Sequence, residues 1–352
     1  MSIILRLPST DSLHSPSHFA ALKATIRSKL RPILQRRNLN ERDKNLVFDE
    51  PTHKYSILTD PDSKYTSVTT WNHSHFPHFD ADDIIQKMMK GKNWNPQNKY
   101  WGKTPQQIKD QWSENAASVS GAGTDLHFDI ECFMNQNLYD EFDKPLPYTH
   151  EDLLQVYNQE IEDGNPPPNA SDEWQYFLKY AKDLPDFKPY RTEWMIYHED
   201  LKLAGSIDMV YENPDGTLTI YDWKRAKEIT KSSGFNKYAV TKCINHLPDT
   251  NYWHYSLQLN TYKAILEAKY NKIVTELYLV RLHPNNTKQT YELIKCADLS
   301  DEIAELFDLR KKQITEPQKS NKTTLSTKST QLYTNKTNKS VQTNIINFMK
   351  PI

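Results

Sequence analysis

Cysteine is almost missing from this sequence. Cys132, Cys243 and Cys296 are scattered, with no paired spacing. That excludes a disulfide framework and any zinc or iron–sulfur site built on four thiolates, and it suits a reducing compartment. Long apolar runs are missing too. No stretch approaches the ~20 residues that a membrane span needs. No continuous apolar core marks a secretory signal near Met1. Net charge is nearly absent at −1, from 44 basic and 45 acidic residues. Apolar residues make up only 37%, with a mean hydropathy of −0.80, which is low for a chain long enough for one large domain or two ordinary ones. The 20 Tyr and 8 Trp residues still supply a sizeable core, because each buries a large area.

The balanced total hides an uneven layout. Before Leu39 stand Arg6, Lys23, Arg27, Lys29, Arg31, Arg36 and Arg37 against one acid, Asp11. After Arg310 stand Lys311, Lys312, Lys319, Lys322, Lys328, Lys336, Lys339 and Lys350 against Glu316. Basic ends around a more acidic middle suit a protein that meets a polyanion while holding cations in acidic pockets. The Arg-rich, acid-poor first 39 residues also resemble a mitochondrial transit peptide in composition.

Pattern divides the chain into a basic segment over 1–45, a mostly helical part over 46–120 packed on the core, a core over 121–312, a disordered linker over 313–341 and a short motif at 342–350. Phe19, Leu22, Ile26 and Leu30 recur at helical spacing within Phe19–Leu34. Short β-like alternation follows at Lys54–Leu58 and Tyr65–Thr69, and helix over 80–120. Glycine is scarce, at eight residues, and two of them lie in Gly121-Ala122-Gly123-Thr124. That reads as a turn needing a close approach or a positive φ, opening a new helix through Phe133. Residues 135–170 read as loop-rich, and Asp172–Lys182 as helix. Strands are predicted at Thr192–Tyr197, Leu203–Tyr211, Leu218–Lys224, Glu276–Leu282 and about Thr290–Ile294, with a turn at 212–217. Helices are predicted at Tyr255–Lys269 and Ser300–Lys312, the latter with Ser300 as N-cap and Ile303, Leu306 and Phe307 inward. From Ile314 onward Ser, Thr, Asn, Lys and Gln dominate, a composition that reads as disorder. Helix, three strands, helix, strand is the connectivity of an α+β core with a mixed sheet.

Chemistry concentrates in the predicted hairpin. Asp222 and Lys224 are two apart on one strand and so share a face. Asp208 lies on the preceding strand between apolar neighbours, where a carboxylate is costly unless paired or metal-bound. Two carboxylates able to share a divalent cation, beside an ammonium, are a minimal kit for cutting a phosphodiester. His127 and Glu131 are i, i+4 on one helix face, as are Gln258 and Tyr262 on another. Trp94, Lys99, Tyr100, Trp101 and Lys103 interleave aromatics with bases, a pattern able to stack a single strand or to pack as a patch of core. His73-x-His75-x-x-His78, with Phe76, Pro77 and Phe79 among them and no cysteine nearby, reads as a packed aromatic loop rather than a zinc site.

Taken in order, Gly123-Thr124-x-x-His127-x-x-x-Glu131, Glu193, Gly205-x-x-Asp208, Asp222-x-Lys224 and Gln258-x-x-x-Tyr262 resemble the PD-(D/E)XK nucleases. The branch they look like is the RecB type, over about residues 120–285. Tyr65-x-Ser67-Val68-Thr69-Thr70 and Phe76-x-x-Phe79-Asp80 are similar to uncharacterised nucleases of large DNA viruses. The resemblance implies a restriction-endonuclease-like α+β fold and a metal-dependent DNA exonuclease. It implies that His127, Asp208, Asp222 and the Trp223 carbonyl hold Mg²⁺ or Mn²⁺, and that Glu193 helps to hold the metal or its waters. Lys224 would orient the attacking water, Glu131 would support the ligands or a second metal, and Gln258 and Tyr262 would touch the DNA backbone or brace Lys224. Relatives with an iron–sulfur cluster use four cysteines, so none is expected here.

Gln342-Thr343-Asn344-Ile345-Ile346-Asn347-Phe348-Met349 resembles a PCNA-interacting box, with Gln342, Ile345, Phe348 and Met349 as its contact residues and Met349 standing where an aromatic is usual. Such a tail implies a sliding clamp as partner and a nucleus or viral replication site as location, against the mitochondrial alternative. A flap or junction endonuclease, and a non-catalytic clamp-tethered DNA-binding module, are the rival readings.

Overall fold

The structure is a computed structural model that describes residues 32–136, 147–165, 167–232 and 236–316. The predicted helix at Phe19–Leu34 and the linker at 313–341 fall mostly outside these residues, and the clamp motif falls wholly outside them; residues 313–315, expected to be disordered, instead belong to the last described helix. In chain order the elements are α1 (Ile33–Arg37), β1 (Leu46–Asp49), β2 (Lys54–Ile57), β3 (Thr66–Ser67), α2 (Val68–His73), α3 (Ala81–Lys90), α4 (Pro105–Met134), α5 (His150–Glu162) and α6 (Asp172–Asp183). Then come β4 (Lys188–His198), β5 (Leu203–Glu212), β6 (Leu218–Lys224), α7 (Asn251–Lys269), β7 (Val274–Arg281), β8 (Glu292–Lys295) and α8 (Ser300–Thr315). Among the described residues no helix is long and apolar enough to cross a membrane.

A six-stranded mixed sheet carries the fold, as the α+β reading expects. β4, β5 and β6 form an antiparallel meander, the α7 crossover returns the chain to lay β7 parallel to β6, and β8 closes the far edge antiparallel. Alternate residues of the strands feed two cores, one on each face. Ile220 and Leu279 join the core under α2, α7 and α8; Tyr221 and Val280 join the core under α1, α4, α5 and α6.

One edge of β5 is shared between two partners, and that positions everything chemical. Leu203 and Ala204 pair with β3, and Met209 to Glu212 pair with β6. Between them, Gly205 to Asp208 face a gap. Gly205 is there because the Tyr262 ring of α7 fills the space beneath it: a Cβ on residue 205 would come within 2.7 Å of Tyr262 Cε1.

Four local expectations are corrected. Gly121 and Gly123 do not break the chain, since α4 runs unbroken for 30 residues with neither glycine at positive φ. Each glycine costs about 1 kcal/mol in a helix, but α4 is pinned at both ends by buried side chains, Ile108 and Trp112 at one and Leu126, Ile130 and Phe133 at the other. Val68 and Thr69 are helical rather than extended, because Ser67 caps α2 by accepting from Thr70 N at 3.1 Å. Within the supposed loop at 135–170, α5 forms on a Thr149–Asp152 capping box and buries His150 and Leu153. Ser300 is the first residue of α8 rather than its cap; its hydroxyl is taken by Asp298.

Candidate active site

Three side chains from three elements converge at the gap. His127 of α4, Glu193 of β4 and Asp208 of β5 each place a ligand atom within 4.8 Å of the other two. The His127 tautomer follows from its neighbours. Nε2 is 3.0 Å from the Trp223 carbonyl, which can only accept, so Nε2 donates. In the neutral imidazole Nδ1 then carries the lone pair, on the side of Asp208 Oδ2, 3.5 Å away. That oxygen also accepts from Trp223 N at 3.0 Å, which substitutes for the strand pairing lost at the gap.

Glu193 reaches the group through an unusual backbone. Its φ is +43° in the middle of β4, between the paired residues Thr192 and Trp194. Left-handed backbone at a non-glycine residue costs on the order of 1–3 kcal/mol and persists where the surroundings enforce it. Ser206 Oγ holds the carboxylate by donating to Oε2 at 3.0 Å.

Asp222 and Lys224 are ion-paired beside this group, on the face of β6 towards α7. Burial, then the neighbouring Asp208 charge, pushes the Asp222 carboxyl up to about 6 against the pull of Lys224. Asp208 is raised as well, chiefly by burial. Burial opposes the charge on Lys224, but Asp222 and Asp208 outweigh it and hold the ammonium above its ordinary value. Lys224 is thus a cation here rather than a free base.

The predicted residues divide. His127, Glu193, Asp208, Asp222 and Lys224 come together, with the Trp223 carbonyl engaged by His127. Glu131 is buried one turn further along α4, outside the three-ligand group. Tyr262 is 2% exposed, wedged under Gly205, and Gln258 Nε2 donates to its hydroxyl at 3.1 Å and to Thr69 Oγ1 at 3.4 Å. The pair plugs the floor of the gap. The residue that braces Lys224 is Tyr255, one turn earlier on α7, whose ring centroid lies 4.6 Å from Nζ. No spacing in the sequence marks it, although its i, i+3 relation to Gln258 would have placed it on the same face. Trp101 is 47% exposed, 5.6 Å from the Trp94 ring, and Lys103 donates to Gln111 Oε1 at 2.6 Å. Both lie between α3 and α4, and neither belongs to the three-ligand group. His73 and Phe76 pack on His254, ring to ring at 5.1 and 3.8 Å.

One imidazole lone pair and carboxylates held at partly desolvated positions are a donor set for a hard or borderline divalent ion. The residues present fit such a metal. A family model described as the PD-(D/E)XK nuclease superfamily matches residues 147–331. The chain therefore belongs to the PD-(D/E)XK nuclease superfamily, and it is a phosphodiesterase of the hydrolase class. Among solved structures it is similar to a candidate exonuclease from Eubacterium rectale, at 11% identity and a TM-score of 0.28, over 76% of this chain and 91% of that one. A search of the curated proteins found no match.

Proposed function

We propose that this nuclease is a DNA exonuclease of the RecB type, loaded with Mg²⁺ or Mn²⁺ and recruited to a sliding clamp by its C-terminal motif. The observation that carries the catalytic reading is the meeting of His127, Glu193 and Asp208 with the Asp222–Lys224 pair at one gap in the sheet. His127, Glu193, Asp208 and Asp222 are the residues that would hold the metal. When bound, such an ion lowers the pKa of a water and stabilises charge on a phosphoryl oxygen. Lys224 carries its proton throughout. Its work is to orient the attacking water and offset charge on the scissile phosphate, rather than to remove a proton. Tyr255 keeps that ammonium in place. The exonuclease assignment rests on the resemblance to the RecB type and not on any residue pattern.

End-labelled linear and circular DNA, single- and double-stranded, should be incubated with Mg²⁺ or Mn²⁺ beside Asp222→Ala. Linear substrates should be degraded, with the variant slower by about 10³-fold, or ~4 kcal/mol. An absence of metal-dependent cleavage ends the enzymatic reading, and cleavage of circles ends the exonuclease reading.

Clamp recruitment rests on Gln342, Ile345, Phe348 and Met349. A random-coil chain of ~30 residues would reach roughly 30 Å, enough to hold the core beside clamp-bound DNA at raised effective concentration. A nucleus or viral replication site follows as the proposed location. Phe348→Ala should abolish capture by an immobilised PCNA-type clamp; undiminished capture would remove this part of the proposal.

A further inference from the structure

The parallel strands β6 and β7 end together. Lys224 and Arg281 are their last residues and pair in register, and Leu282 N donates to the Lys224 carbonyl at 2.8 Å. Arg281 is two residues beyond Leu279 and Lys224 is four beyond Ile220, so both side chains leave on the α7 face. Neighbouring strands are about 4.8 Å apart. A second cation therefore stands beside Lys224, on the side away from β5 and Asp208.

Its orientation is fixed. Arg281 Nε donates to Glu292 Oε2 at 2.7 Å and Nη1 to the Lys227 carbonyl at 2.7 Å, whereas Nη2 has no partner among the described residues. Arg225, next after Lys224, turns to the other face. There its Nε donates to Glu173 Oε1 of α6 at 2.7 Å, and among the described residues neither Nη has a partner. His283 lies just past the end of β7. Its Nδ1 accepts from Asn285 N at 3.1 Å, so the neutral ring keeps its proton on Nε2, and no described residue takes it. None of these spare nitrogens is sealed from solvent.

The three groups crowd one spot. Burial and the charges of Arg225, Arg281 and Lys227 hold His283 below its ordinary value, against the pull of Glu173. Like charges gathered in this way repel one another. Glu173 and Glu292 each hold a guanidinium by a single nitrogen, Nε, and neither takes the two-nitrogen fork that arginine offers a carboxylate. The spare Nη hydrogens await a further acceptor.

We infer that Arg281, Arg225 and the His283 Nε2–H form a bay for a phosphodiester of the substrate strand, the one next to the scissile phosphate at Lys224. The inference deepens the nuclease reading and rests on it. A phosphodiester has two free oxygens, enough to accept from both guanidiniums and the imidazole at once, and its charge relieves the crowding. A strand gripped at two successive phosphates cannot pivot about the one at Lys224. That holds the scissile bond in line.

The test begins with the whole chain in EDTA and a labelled single-stranded oligonucleotide, binding being followed by anisotropy over a range of salt. Arg281→Gln should weaken binding about ten-fold and flatten the plot of log K against log salt by about 0.7, the slope of one contact on a single strand. Arg281→Lys should restore the slope without the full affinity, because an ammonium lacks the fork. Next, strands with a single methylphosphonate, a neutral linkage, are digested in Mn²⁺. The wild type should pause when that linkage reaches the cut and again when it lies one step to one side. Arg281→Gln should lose the second pause alone. An unchanged salt slope, or a second pause that survives, overturns the inference. Should Arg281→Gln fail to fold, half-exposed His283→Leu should weaken the second pause several-fold, and an undiminished pause is equally fatal. If the wild type cuts neither the unmodified strand nor its duplex, the nuclease reading fails and takes the inference with it. If either is cut while Arg281→Gln keeps its slope and both pauses, the inference alone is overturned.

Discussion

At the scale of single residues, Lys224 depends on a neighbour that no motif advertises. Its ammonium lies between the Asp222 carboxylate and the face of Tyr255. A desolvated cation–ring contact is worth about 2 kcal/mol, or roughly 30-fold in rate if it serves only to hold the reacting geometry. Tyr255→Phe keeps the ring and should keep most of the activity. Tyr255→Leu should lower kcat by about 10- to 30-fold with KM little changed. In a Lys224→Gln background the same substitution should do nothing further. A full additional loss in that background would show that Tyr255 acts on something other than Lys224. Asp208, Asp222 and Lys224 were legible in the sequence because polar groups inside apolar strands demand partners. Tyr255 was not, because a tyrosine on a half-buried helix face is ordinary until the lysine beneath it is located. Gln258 and Tyr262 were legible as a pair, but the packing of Tyr262 beneath Gly205 was not. Their spacing puts them on one face, but nothing in the spacing says whether that face looks at solvent or at Gly205.

At the scale of elements, the critical join is α7 against the stretch of β5 that is paired with β4 alone. Gly205→Ala would drive a methyl into the Tyr262 ring. Overpacking of this kind costs about 1–3 kcal/mol, which denaturant unfolding should register as a lower midpoint at unchanged slope. Tyr262→Leu should recover part of the loss when combined with Gly205→Ala, and purely additive effects would contradict the close packing. The strands were legible because β4, β5 and β6 bury side chains on both faces and read as apolar runs between strong turns. α5 was not, because it lies in a polar stretch and buries only His150 and Leu153. The unbroken α4 was misread for a related reason. Propensity is local, and the packing that overrides it at Gly121 and Gly123 comes from residues a full turn or more away.

For the molecule as a whole, buried histidines set the response to acid. His75, His150 and His198 are each held down to about 4, first by burial. In the unfolded chain they titrate near 6.5, so the unfolded state binds more protons between these values and stability falls as pH falls. Each contributes about 3 kcal/mol by pH 4, against a typical total of about 5–15 kcal/mol. Asp222, raised to about 6, works in the opposite sense and offsets part of this. The melting temperature should drop steadily from pH 6.5 to 4.5, and His150→Gln, which cannot charge, should flatten that decline. A melting temperature constant over the range would contradict the burial of these groups as neutral imidazoles. The sheet order also has a consequence for how the molecule is made. β6 lies between β5 and β7, and Lys224 pairs with Arg281. A chain emerging from the ribosome therefore holds its acids and its lysine on an unfinished edge until nearly sixty further residues have followed. The cutting site is therefore completed only after β7 has joined the sheet, and the hairpin that carries its acids and lysine is no nuclease by itself.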